Sequence, residues 1–118
     1  MLNCAGVFYL KERYIMRTRY KSYSHYGFKE GEARELKKWC KSSDFKQNKL
    51  LMESAKQSND VISNSIYMSI VKGLSYERID GIEYQIYAKG DFYAYQRKAL
   101  AIFRKALIRN NQYPFMES

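Results

Sequence analysis

Apolar positions recur along the chain at helical spacing more often than in alternation. From Glu30 to Lys41, Ala33, Leu36, Trp39 and Cys40 fall on one face, while Glu32, Arg34, Glu35, Lys37 and Lys38 turn outward. That is the pattern of an amphipathic helix with Trp39 as its core anchor. A second helix is predicted to begin at Asp44, whose carboxylate can cap free backbone donors while Gln47 reaches back. It would bury Phe45, Leu50, Leu51 and Ala55 and end near Ser58 and Asn59. A third helix, capped by Asn59 or Asp60, carries Ile62, Ile66 and Ile70 with Tyr67 and Val71 alongside and stops at Gly73, a residue that readily takes the left-handed conformation. Ser75 then caps a short turn from Tyr76 to Ile79, before the turn dipeptide Asp80-Gly81. The run from Ile82 to Tyr87 alternates and suits a brief strand or an extended loop.

The clearest element is the last. Lys89-Gly90 breaks the chain and Asp91 can cap. Phe92, Tyr95, Ala99, Ile102, Phe103, Ala106 and Leu107 then make one apolar face of a helix reaching Arg109. The expected fold class is therefore mainly α: a small helical domain over residues 29–109, with a short strand near 82–87. Residues 1–28 form an N-terminal arm before it and residues 110–118, with the lone Pro114, a tail.

The length of 118 residues suits one domain. No run approaches the roughly 18 apolar residues of a membrane span, so no membrane partner is expected. The start MLNCAGVFYLKER lacks the basic lead-in and cleavage site of a secretory signal, which points to the cytoplasm. Cys4 and Cys40 stand far apart beside a single histidine, His25, too few for a zinc set, and read as inert thiols. No metal or cofactor is expected. An enzyme is poorly supported too, since His25 has no carboxylate near it in sequence and the glycines form no phosphate loop; a surface or hydrogen-bonded histidine is the plainer reading.

Charge changes the picture. There are 21 Lys plus Arg against 12 Asp plus Glu, a net charge of +9, and such a surface attracts polyanions. From Lys11 to Lys29, across the arm and the first residue after it, Lys11, Arg13, Arg17, Arg19, Lys21 and Lys29 face only Glu12 and are interleaved with Tyr14, Tyr20, Tyr23 and Tyr26. This suits phosphate contact with base stacking, and equally an extended segment laid over the core. In the last helix Arg97, Lys98, Arg104, Lys105 and Arg109 follow Asp91 with no acid among them, and an anionic partner would relieve their repulsion. On double-stranded DNA, Tyr93, Gln96 and Arg97 would occupy early outward positions and reach base edges. Lys98, Arg104 and Lys105, helped by Arg17 and Arg19 of the arm, would hold phosphates.

Over Ile62 to Ile108 the strings YMSIVKGLSYERI and DFYAYQRKALAIFRKAL resemble the helix-turn-helix of sigma-factor C-terminal domains and of phage transcriptional activators of the ArpU and RinA groups. Gly73, Ser75, Tyr76, Glu77, Ile79, Tyr95, Arg97, Lys98, Ala99 and Leu100 stand in the places that carry the resemblance. It implies a helix-turn-helix C-terminal half and a DNA-binding transcription regulator of a phage or mobile genetic element. About eleven residues, Asp80 to Gly90, replace the usual tight turn. The alternative is a small interaction protein, such as an anti-CRISPR or other anti-defence factor, docking on a host protein or protein-RNA complex. Its 12 tyrosines offer large contact area at low entropic cost. Either function leaves oligomerisation open.

Overall fold

The computed structural model describes residues 17–79 and 87–115. Two 3-10 turns, Thr18–Tyr20 and Tyr23–Tyr26, lead into α1 (Glu32–Cys40), α2 (Asn48–Ser58) and α3 (Ser63–Val71). A third 3-10 turn, Tyr76–Arg78, precedes the long α4 (Lys89–Arg109). The fold is mainly α, with no strand among the described residues. The strand expected near 82–87 lies outside them except for Tyr87, which sits in a bend. No described helix is long and apolar enough to cross a membrane.

α4 is the axis of the molecule. It packs against α2 most extensively, then against the arm and α3, while α1 packs on α3. Phe92, Ala99, Leu100, Phe103 and Leu107 are buried along its core face. They meet Leu36 and Cys40 of α1, Leu51 and Ala55 of α2, and Ile62, Ile66 and Ile70 beside or within α3 in one cluster. Ala94 and Ala101, on the other side of α4, are buried as well, because the arm's 3-10 turns lie over them. Residues 17–28 of the arm thus lie over the last helix as 3-10 turns, not as an extended segment.

Serines let the helices approach closely without stranding polar groups. The Ser58 hydroxyl of α2 donates to the Tyr95 carbonyl of α4 at 2.7 Å. Ser69 of α3 donates to the Ile66 carbonyl and accepts from Gln96 Nε2 at 2.9 Å. Each bond offsets the desolvation of a group that burial would otherwise penalise.

Several expected boundaries move, among them that of α3, which starts at Ser63 with Ile62 in the cap position expected for Asn59 or Asp60. α2 begins at Asn48, not Asp44, because Phe45 is drawn out of helical register into the core. There its ring meets Trp39 edge-on at 5.2 Å and Phe103 at 6.1 Å, while its amide closes a turn on the Ser42 carbonyl. The tail is not loose at its start: Tyr113 is buried and belongs to the core cluster. Asp91 lies in the first turn of α4, whose N-cap is Ala88.

Cys40 is buried, and that burial pushes its thiol up to about 12. It should resist iodoacetamide in the native protein at mildly alkaline pH and react once urea unfolds the chain, as read by mass spectrometry of the labelled peptide. Native labelling at the unfolded rate would contradict the burial. Cys4 lies outside the described residues.

Candidate nucleic-acid interface

The structure sorts the basic residues into those that hold the fold and those left facing solvent. Arg97 belongs to the first group. Its Nε donates to the Lys21 carbonyl at 2.8 Å and its terminal nitrogen points at the Arg19 carbonyl at 3.5 Å. It latches the arm to α4 and is not the outward base reader expected from its position.

Gln96 is a second correction. It is buried, with Nε2 spent on Ser69, because its place on α4 faces the core between Phe92 and Leu100. Tyr93 is half-buried; its hydroxyl accepts from the Tyr76 amide at 2.8 Å and its ring meets Phe92 edge-on. Gln96 is thus withheld from any base edge, while Tyr93 and Arg97 are already engaged. α3 and α4 do pack together, but the early turns of α4 look into the protein.

Arg104, expected on phosphate, is also internal. Its Nε donates to Glu32 Oε2 at 2.7 Å, and its guanidinium lies 5.3 Å from the Phe28 ring centre and 5.5 Å from that of Tyr113. Tyr113 donates to the same carboxylate oxygen, and the Lys29 amide donates to Oε1 at 2.8 Å. This cluster ties α1, α4, the arm and the tail together. Its cation balances a partly buried carboxylate, so it offers no free charge to a ligand.

Three of the cations that remain open converge elsewhere. Lys98 and Lys105 lie on the outer strip of α4, flanking Ile102, and the arm brings Lys21, His25 and Tyr26 beside them. Together they line a hollow of about 280 Å³ with no carboxylate in its walls. Lys21 Nζ stands 5.3 Å over the Tyr26 ring. The Tyr26 hydroxyl is buried without a hydrogen-bond partner among the described residues, and burial pushes its pKa up. The Ser22 amide donates to His25 Nδ1 at 3.0 Å, which fixes the ring and leaves Nε2 to carry the proton of the neutral form.

Arg17 and Arg19 are both exposed and line a neighbouring hollow with Asp91, Tyr87 and Tyr95. Arg19 pairs loosely with Asp91 at 3.4 Å, an exposed contact of small energetic weight. Of the eight expected site residues, Lys98 and Lys105 thus share one hollow and Arg17 and Arg19 the next. Tyr93, Gln96, Arg97 and Arg104 serve the fold. His25 carries no binding role in the sequence and Tyr26 only that of a stacking ring in the arm; the docking of the arm on α4 places both beside Lys98. Among the described residues no group of His, Cys, Asp and Glu gathers to hold a metal ion. Compared with protein-family models, curated proteins and solved structures, the chain matches none of them.

Proposed function

We propose that the chain binds nucleic acid by its phosphate backbone along the outer strip of α4, and that it serves transcription control in a phage or mobile element. The observation that carries the binding is the hollow in which Lys21 of the arm joins Lys98 and Lys105 of α4, two distant segments delivering cations to one place without a carboxylate in its walls. Such convergence leaves repulsion that an anion relieves. Tyr26 beside Lys21 adds a flat ring next to the charge, a pairing suited to sugar-phosphate contact. The regulatory role rests on the resemblance to phage activators. With Gln96 inward and Arg97 on the arm, the arrangement favours backbone contact and DNA shape over direct base readout.

Fluorescence anisotropy on a random-sequence duplex at several salt concentrations tests the proposal. Affinity should fall steeply as salt rises, and Lys98→Gln with Lys105→Gln should weaken binding at least tenfold while reducing the salt slope by about 1 to 2. Binding that ignores salt, or that survives the double substitution unchanged, would sink it. Substituting Arg104 is no substitute for this test, because it disturbs the fold.

A further inference from the structure

A second cationic groove shares no residue with the first. Arg34, Lys37 and Lys38 of α1 and Lys41 at its C-cap line it together. Their spacing of three, four and seven residues sets them along one helix face, over a length of about 10 Å. Like charges so placed destabilise a helix. None of the four forms an ion pair among the described residues, and no carboxylate lines the groove. Lys37 feels the crowding: burial first, then Lys41 and Arg34, lower its pKa.

The facing wall has a different character. Ile70, Leu74 and the Tyr93 ring provide apolar surface. Gly73 holds a positive φ of 69°, and a side chain there would crowd the Lys41 stem at 3.3 Å. The turn after α3 therefore depends on glycine to let Lys41 lie along the rim. The groove encloses about 470 Å³, within the roughly 300–1,000 Å³ common for small-ligand sites.

We propose that this groove binds a nucleotide, its phosphates on the α1 cations and its base against the wall of Ile70, Leu74 and Tyr93. Four unpaired cations ask for a multiply charged anion, and an apolar wall with an aromatic ring suits a base better than open solvent does. The shared chemistry has two sources, a free nucleoside polyphosphate or one nucleotide of a single strand.

Calorimetric titration with ATP, with inorganic triphosphate and with a single-stranded deoxythymidine decamer separates them. ATP or the decamer should bind, and Lys37→Gln with Lys41→Gln should weaken that binding at least tenfold. ATP binding more tightly marks a free nucleotide as the ligand; the decamer binding more tightly marks a strand. Inorganic triphosphate should bind more weakly than ATP or the decamer, for want of a base.

The double variant should also melt no lower than the parent, since it removes repulsion, so lost binding is not lost folding. Lys98→Gln with Lys105→Gln should leave the groove's binding intact, which keeps this proposal separable from duplex binding. Inorganic triphosphate binding as tightly as both other probes would overturn the nucleotide assignment. Absence of binding by ATP and the decamer, or indifference to the Lys37 and Lys41 substitutions, would overturn the site itself.

Discussion

Phe103→Ala is expected to cost about 3–5 kcal/mol of stability, seen as a lower urea midpoint with an unchanged slope. The ring is fully buried where three separate segments meet. Trp39 of α1 stacks on it at 6.4 Å, and Phe45 from the α1–α2 connection meets it edge-on. Removing it leaves a void walled by parts of α4, α1 and a turn, none of which can move in without breaking its own packing. Ile102→Ala, one residue away on the half-exposed outer strip, should cost far less. Equal losses from the two would contradict the placement of the core.

Glu32→Ala should cost about 3 kcal/mol, because it leaves the half-buried Arg104 guanidinium without its counter-charge. The side chains are 12% and 22% exposed, too enclosed for water to take over fully. Burial alone would raise the Glu32 pKa. Hydrogen bonds from Tyr113, the Lys29 amide and Arg104 outweigh it and bring the carboxyl below its ordinary 4.5. A carboxyl lowered in the folded state stabilises above its unfolded pKa and loses that contribution as pH falls through the folded one. Parent stability should therefore decline in acid below about pH 4.5, and the decline should be shallower in Glu32→Ala.

At the other extreme, burial and then the bond to Glu32 push the Tyr113 hydroxyl from 10.0 up to about 12. A tyrosine raised in this way contributes fully below its unfolded pKa and loses that contribution as pH rises through the folded one. Stability should thus drop again between 10.0 and about 12. Thermal melts across pH read both limbs. A parent whose acid limb matches that of Glu32→Ala would refute the role given to this carboxylate.

Helical periodicity was enough to find α1, α3 and α4, because Leu36, Ile66, Phe103 and their neighbours repeat at the spacing a single buried face demands. Phe45 defeated the same logic at α2: an apolar residue in a turn looks in sequence like the first turn of a helix. Gln96 was misread because a buried amide breaks the division into apolar inside and polar outside, and its partner Ser69 lies 27 positions away. Charge counting could not tell Lys98 and Lys105, which carry no ion pair among the described residues, from Arg104, whose carboxylate stands 72 positions earlier. Long-range pairing, invisible to any local window, decided which cations stay open.

The latch between Arg97 and the arm spans 76 positions, and this bears on the order in which the molecule is made. Synthesis delivers the arm early and its seat on α4 late, so Ala94 and Ala101 acquire their cover only after most of the chain has left the ribosome. Closure over such a distance is entropically costly and slow compared with local helix formation. A nascent chain stopped before α4 would leave the arm unseated and the core faces of α2 and α3 exposed, a species for a chaperone to hold.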